Sequence, residues 1–175
     1  MKVYDGDTNP AGDPDVKSDT QIKVGIAEYE VTANGATLTT SGLGSCLGVA
    51  VYDEAACVGG LIHVMLPSAE EMTDANRAKF ADTGLAALIE TLEREGASRE
   101  RMVAKMAGGS DMLDFSRNGT SIGSRNVEQV EETLAEFDIP IVGRDIGGEH
   151  GRSVRFRAGS GDMEIKSASE DATTI

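Results

Sequence analysis

The pattern of apolar and polar positions predicts two kinds of element along this chain. Apolar residues recur at helical spacing from Phe80 to Leu92 and from Val127 to Phe137, so both segments are predicted to be amphipathic helices. Short alternating or continuous apolar runs are typical of strands. They predict strands at 24–31, 36–40, 47–53, 57–66, 102–106, 139–146, 153–157 and 162–166.

Turn residues predict how neighbouring elements connect. Asn34-Gly35 is typical of a hairpin turn and predicts that 24–31 pairs with 36–40. The polar segment 53–56 predicts a second hairpin, which brings 47–53 beside 57–66. Asp74 is a candidate N-cap for the first helix, and Gly96 is its expected end. Strands mixed with helices indicate the α/β class.

The two ends of the chain differ in composition from its middle. Residues 1–20 contain two prolines among several aspartates and predict a flexible N-terminal arm, and the polar, acidic residues 167–175 predict a flexible tail. The intervening segment 21–166 is long enough for one domain with a buried core.

Candidate chemistry is concentrated where the second predicted hairpin begins. Cys46 follows a glycine-rich turn and His63 lies in the partner strand, so an imidazole and a thiol could meet if both faced one side of the sheet. Gly42 and Gly44 predict positive backbone φ angles that turn N–H groups toward one point, as in an anion-binding nest. With Ser45, this turn is the candidate oxyanion site.

Each of these residues also has a purely structural interpretation. A cysteine in an apolar run is usually a small core residue, which is the interpretation favoured for Cys57. A zinc site formed by Cys46, Cys57 and His63 is a minor alternative, because the usual close ligand pairs are missing. His150, in a glycine-rich segment, is the fallback base if His63 points away.

Charge narrows the possible partners. The chain has 30 acidic against 16 basic residues, a formal net charge of −14, which disfavours nucleic acid and anionic membranes. An acidic excess with few lysines suggests a protein of a salt-rich cytoplasm. The sequence shows no long apolar segment and no signal peptide, so we expect a cytoplasmic protein without membrane insertion. No cofactor is predicted.

Several motifs together resemble the chemoreceptor glutamine deamidase family, often called CheD. The resemblance covers about 25–165. It is carried by Thr40-Ser41-Gly42-Leu43-Gly44-Ser45-Cys46-Leu47-Gly48-Val49, by Gly59-Gly60-Leu61-Ile62-His63-Val64-Met65-Leu66-Pro67, by Ala81-Asp82-Thr83, by Ala104-Lys105-Met106-Ala107-Gly108-Gly109, by Ile122-Gly123 followed by Arg125-Asn126-Val127, and by Asp145, Gly147-Gly148 and Gly151-Arg152.

This resemblance implies a fold, an activity and a set of site residues. The fold is a three-layer α/β/β sandwich, with Cys46 as nucleophile, His63 as general base and acid, and Thr40 as the residue that orients the imidazole. The implied activity is hydrolysis of glutamine side-chain amides on methyl-accepting chemoreceptors, and Gly108 and Gly109 are expected at the substrate cleft. A CheC-type phosphatase is a possible partner. A receptor methylesterase using the same site and a noncatalytic chemotaxis adaptor remain as alternatives.

Overall fold

We analysed a computed structural model of the chain, which describes residues 2–4, 20–68, 76–111, 121–167 and 170–175. Asp74, the candidate N-cap, lies outside these residues. The strands are β1 (Lys2–Tyr4), β2 (Gln21–Lys23), β3 (Tyr29–Thr32), β4 (Thr37–Leu43), β5 (Leu47–Asp53), β6 (Val58–Val64), β7 (Val103–Gly108), β8 (Ile141–Ile146), β9 (Arg152–Arg157), β10 (Asp162–Ser167) and β11 (Glu170–Thr174), and the α-helices are α1 (Ala81–Arg94) and α2 (Ile122–Glu136).

The strands form two sheets. One sheet has six strands in the order β1-β3-β6-β5-β7-β8, and the other has five in the order β11-β10-β9-β4-β2. Buried residues of both helices pack with one face of the six-stranded sheet in a first hydrophobic core, whereas its other face packs against the five-stranded sheet in a second core. The predicted three-layer α/β/β sandwich is therefore confirmed.

Strand β5 shows how the central sheet separates the two cores. Its odd-numbered residues Leu47, Val49 and Val51 face the helices, while Ala50 and Tyr52 face the second sheet. All seven residues of β5 are buried, as expected for a strand covered on both faces. Side chains at even positions of this strand, and those that oppose them on β6, therefore lie between the two sheets.

The second predicted hairpin is confirmed. Strands β5 and β6 pair antiparallel from Leu47 opposite Val64 to Asp53 opposite Val58, with Gly48 opposite His63. Both predicted helices are present with shifted starts, and Gly96 follows α1 with a φ of 109°, which favours glycine.

The first predicted hairpin is wrong. Strand β3 pairs with β6 in the six-stranded sheet, whereas β4 pairs with β9 and β2 in the other sheet. The segment around Asn34 does turn, because the Asn34 side chain accepts a hydrogen bond from the Ala36 amide. Turn residues specify a local change of direction and leave open which strands pair afterwards, so the chain crosses between layers here. The predicted strand 24–31 is also interrupted, at Ala27, whose φ is 61°.

Part of each segment predicted to be flexible pairs with a strand. Lys2–Tyr4 pairs in parallel with β3, and Glu170–Thr174 pairs antiparallel with β10. The last residue is fixed by Lys105, whose Nζ donates to the carbonyl oxygens of Ile175 at 2.8 Å and Gly161 at 2.6 Å. This cation comes from β7, a strand that is distant in sequence, and flexibility of the two ends stays a prediction. Among the described residues, no helix is long and apolar enough to cross a membrane.

Candidate active site

Thr40 and His63 meet across the two sheets. Thr40 lies on β4 in the five-stranded sheet, and its Oγ1 is 2.8 Å from Nδ1 of His63 on β6. The same Oγ1 donates to the carbonyl oxygen of Val24 at 2.9 Å. A threonine hydroxyl has one hydrogen, so it must accept from His63, whose proton is then on Nδ1. This network leaves the lone pair on Nε2, the tautomer that a general base needs at that atom.

The imidazole of His63 is neutral and enclosed. His63 has no exposed surface, and burial lowers its pKa below the ordinary value of 6.5. Its Nε2 is buried and has no hydrogen-bond partner among the described residues. A buried nitrogen with a free lone pair costs free energy, so its presence here needs an explanation other than stability.

Cys46 lies on the same face of the sheet as His63. Gly48 is directly opposite His63, and Cys46 precedes Gly48 by two residues in the bend that leads into β5, at the end of the strand pair that bears the imidazole. In the resting structure the thiol does not hydrogen-bond to His63 Nε2. Cys46 also packs against the second core, which confirms that its side chain lies between the sheets. The requirement that sequence alone left open, that both side chains share one face, is thus met.

The thiol is partly shielded from solvent. Burial raises the pKa of Cys46 above its ordinary value, and its own backbone N–H offsets part of this effect. With a neutral imidazole nearby, the resting site therefore contains a thiol and an imidazole rather than a thiolate and an imidazolium. Thiolate must form during attack, by proton transfer to His63.

Gly48 provides the space in which Thr40 reaches His63. A Cβ atom at Gly48 would lie 3.2 Å from Leu43 Cδ1 and 3.5 Å from both Thr40 Cγ2 and Val154 Cγ2. The first of these contacts is tighter than most packed contacts, so the end of the Leu43 side chain would have to shift by a few tenths of an ångström, whereas the other two are ordinary van der Waals contacts. Gly48 therefore lies in close packing with Leu43, Thr40 and Val154 beside the imidazole.

The turn before Cys46 differs from its prediction in one respect. Gly42 has the expected positive φ of 74°, but Gly44 does not, and the Gly44 amide donates to the Gly42 carbonyl at 3.1 Å. The N–H groups of Ser45 and Cys46 have no acceptor on another described residue. These two amides, rather than that of Gly44, are available to an oxyanion.

Three consecutive carbonyl groups of this turn accept hydrogen bonds from buried groups. The Gly44 oxygen accepts from the Ser110 amide at 2.9 Å, and the Cys46 oxygen accepts from the Gly109 amide at 2.9 Å. Between them, the Ser45 oxygen accepts from Asn126 Nδ2 at 2.9 Å. The backbone that carries the thiol is thus fixed by the segment after β7 and by α2.

Gly108 and Gly109 support the nucleophile from the protein interior. Both are buried with positive φ, and a Cβ at Gly108 would lie 2.3 Å from the Cys46 oxygen. At Gly109 a Cβ would lie 2.7 Å from Val127. Their observed contacts are with the backbone behind Cys46, and a direct contact with substrate stays a prediction.

Sequence reasoning missed several polar residues around this turn. Asn126 is fully buried, and Arg152 is buried with its Nη2 3.2 Å from Asp145 Oδ1. Four buried polar atoms here have no partner among the described residues: His63 Nε2, Ser110 Oγ, Asn126 Oδ1 and Arg152 Nε. Asn126 could have been found, because it occupies an apolar position four residues before Val130 on the α2 stripe.

Cys57 does not take part in this site. It is exposed at the β5–β6 turn, at the far end of the hairpin from Cys46, with a φ of 56°. Its prediction as a core residue is wrong, because the turn places it outside the strand. The zinc alternative fails for the same reason, and the described residues contain no group of three His, Cys, Asp or Glu side chains that could hold a metal.

Comparisons with known proteins bear on the family of the chain. Residues 65–167 match the model of the family described as CheD chemotactic sensory transduction. Over all 175 residues the chain is 58% identical to the whole of a Haloarcula marismortui protein named "Probable chemoreceptor glutamine deamidase CheD". It is 42% identical, over 88% of its length and 98% of the relative's, to the "Chemoreceptor glutamine deamidase CheD" of Halalkalibacterium halodurans.

A solved structure supports the fold. The crystal structure of the Neisseria meningitidis protein NMB0706, of family DUF152, matches with a TM-score of 0.52 at 12% identity, covering 74% of this chain and 64% of that one. This likeness concerns the fold alone. Thr40, Cys46 and His63 all precede residue 65, where the family match begins.

Proposed function

The chain belongs to the CheD family, and on that premise we propose that it hydrolyses glutamine side-chain amides on chemoreceptors, with Cys46 as nucleophile and His63 as base. The observation that carries this proposal is the Thr40–His63 hydrogen bond. It leaves Nε2 as an unpaired proton acceptor on the sheet face that also bears Cys46. A buried base beside a thiol is the arrangement that nucleophilic catalysis requires.

The reaction follows from the neutral resting state. As the sulfur of Cys46 bonds to the carboxamide carbon, its proton passes to His63 Nε2, and the carbonyl oxygen becomes an oxyanion near the Ser45 and Cys46 amides. His63 then returns the proton to the leaving nitrogen, which departs as ammonia and leaves a thioester. Water, deprotonated by His63, opens the thioester, giving glutamate and restoring the thiol.

Thr40 acts in this scheme through orientation. It holds Nδ1–H by a neutral oxygen, so it fixes the ring without the full negative charge that an aspartate would bring to stabilise imidazolium. The absence of a carboxylate fits a base whose pKa is low and that works as the neutral ring.

The test is mass spectrometry of chemoreceptor fragments carrying glutamine or glutamate methyl ester at the modified positions. Wild-type protein should convert glutamine to glutamate with release of ammonia, and Cys46→Ala should convert none while remaining folded by circular dichroism. Cys57→Ala, the matched control, should retain full activity because Cys57 lies at the other end of the hairpin.

Three outcomes would contradict this proposal. Undiminished deamidation by Cys46→Ala would exclude that residue as the nucleophile. Methanol without ammonia would identify a methylesterase with the same site, and binding of receptor without either product would leave a noncatalytic adaptor. Docking of a CheC-type phosphatase belongs to this proposal too, and added partner should then change the rate of ammonia release.

A further inference from the structure

Asn126 connects the nucleophile turn to the end of the histidine strand. Its Nδ2 donates to the Ser45 carbonyl at 2.9 Å and to the Met65 carbonyl at 3.0 Å. Both acceptors are carbonyl oxygens, so the atom between them must be the amide nitrogen, which has two hydrogens to donate. The regular pairing of β5 with β6 ends at Leu47 and Val64. Asn126 therefore extends the connection to two residues before β5 begins and one residue after β6 ends.

These bonds determine the direction of the amide that follows Ser45. The peptide bonds of the described residues are all trans, and in a trans peptide the C=O and the next N–H point in opposite directions. Asn126 lies on the buried stripe of α2 with Val130 and Leu134, on the helix side of the central sheet. Because the Ser45 carbonyl points toward that helix, the Cys46 N–H points away from it, toward the side of the thiol.

We infer that Asn126 is a positioning residue for the oxyanion site: by holding the Ser45 carbonyl, it directs the Cys46 N–H at the substrate oxygen. This inference rests on the proposed function, since it concerns the same reaction. The Cys46 amide has no acceptor on another described residue and interacts only with its own sulfur, so no other described group competes with an oxyanion for it. Ser110 acts in the same way one peptide earlier, because its amide holds the Gly44 carbonyl at 2.9 Å and so orients the Ser45 N–H.

The chemistry at position 126 is specific to an amide. Aspartate has nearly the same shape but brings oxygen against two carbonyl oxygens; charged, it repels both, and protonated, it can donate to only one. Leucine has similar volume and no donor. With either residue the Ser45–Cys46 peptide loses its fixed orientation, while Cys46, His63 and Thr40 are unchanged.

The test compares two reactions of the same thiol in a Cys57→Ser background. Hydrolysis of receptor glutamine passes through an oxyanion, whereas alkylation of Cys46 by iodoacetamide displaces iodide from a saturated carbon and forms none. For Asn126→Asp we expect kcat for ammonia release to fall about 10²-fold, with KM and the alkylation rate changed less than about threefold. A receptor peptide with an aldehyde in place of the carboxamide, which forms a tetrahedral adduct with the thiol, should bind more weakly by a similar factor as kcat falls.

Thr133→Val is the matched control, because Thr133 is buried on the same helix and, within the described part of the chain, its hydroxyl accepts from the Gln129 side chain alone. It should alter neither reaction. Asn126→Leu repeats the measurement should the aspartate variant not fold, as judged by thermal unfolding.

The outcomes separate this inference from the proposed function. Wild-type protein that releases no ammonia contradicts the proposed function. An active wild type together with unchanged kcat in the folded Asn126 variants overturns the inference alone. Equal losses of hydrolysis and alkylation also overturn it, because Asn126 would then support the whole site rather than the oxyanion amide.

Discussion

The two ends of strand β5 hold buried polar groups in opposite states. At one end, Asp53 has no exposed surface and both of its carboxylate oxygens are occupied by Arg101 and by the Ser98 and Ala56 amides. At the other end, His63 Nε2 and three neighbouring polar atoms have no partner among the described residues. The same strand therefore separates a region whose polar groups are paired for stability from one whose groups are left available for chemistry.

Burial has different consequences for the protonation of Asp53 and of His63. Burial alone would raise the pKa of Asp53, but hydrogen bonds from Arg101, Ser98 and Ala56 hold it below its usual value, so the carboxylate stays ionised. For His63, burial lowers the pKa with no opposing contribution, so the ring stays neutral. Substitutions at the two ends should accordingly separate activity from stability.

The largest expected effect comes from His63→Asn. The asparagine amide can take the place of Nδ1–H and still donate to Thr40, but nothing replaces Nε2. Ammonia release should fall about 10³-fold, the range expected for loss of a general base. The free energy of unfolding should change by no more than about 1 kcal/mol, because the Thr40 contact is kept. Retained activity would show that another base serves Cys46.

The pH dependence of the wild-type reaction should reflect the titration of His63. Because the active form is the neutral imidazole and its pKa is lowered, kcat/KM should be constant near neutral pH and should decline only below the ordinary histidine value of 6.5. Below the inflection the rate should fall about tenfold per pH unit. An inflection above neutral pH would contradict the lowered pKa.

Thr40→Val tests the orientation of the ring at nearly constant volume. Without the hydroxyl, the neutral imidazole can place its proton on either nitrogen, so Nε2 is no longer reserved as the acceptor. We expect kcat to fall about 10- to 10²-fold, less than for loss of the base itself. Thr37→Val, on the same strand and equally buried, is the control and should leave kcat unchanged. Similar losses in both variants would point to the strand rather than the hydroxyl.

Asp53→Asn should have the reverse effect, on stability rather than activity. Replacing the carboxylate removes the negative charge that pairs with Arg101. Loss of a fully buried ion pair costs about 3–5 kcal/mol. Because the Arg101 guanidinium is half exposed and water can solvate it, we expect the free energy of unfolding to fall by less, about 2 kcal/mol. The lowered pKa means that Asp53 stabilises the fold above the ordinary aspartate value of 3.8, and that this contribution is lost as pH falls through the lowered pKa. The contribution of Asp53 is measured as the difference in the free energy of unfolding between wild type and Asp53→Asn, by urea unfolding at neutral and at acid pH. Strong loss of kcat in the folded variant would break the distinction between the two ends.

The smallest expected effect is that of salt, which acts on neither end in particular. A net charge of −14 produces repulsion among the chain's own charges and would repel a receptor of similar acidic composition, and salt screens both kinds of repulsion. Ammonia release should rise a few-fold between about 0.1 and 1 M potassium chloride, where the screening length falls from about 10 to 3 Å. A steady decrease over that range would indicate that attraction between opposite charges drives binding.

Much of the central sheet and its chemistry could be predicted from the sequence. The β5–β6 hairpin and both helices follow from local periodicity and one polar turn. The sequence named Cys46 and His63 as candidates, but whether they share a face depends on the register of the hairpin, which periodicity does not give. The glycine before Cys46 with positive φ was also predictable at Gly42. These features depend on residues close together in the chain or joined by one short turn.

Only the tertiary structure decided which distant residues complete the site. The Asn34 turn predicted a hairpin, yet the chain crosses into the second sheet, and that crossing is what carries Thr40 onto His63. Asn126 binds Ser45, which is 81 residues earlier in the chain. Its position on the buried stripe of α2 indicated that a polar side chain is buried there, but not which group it binds. Periodicity reports which face a side chain occupies, whereas the partner it meets there is set by how the layers stack, and that depends on packing over the whole chain.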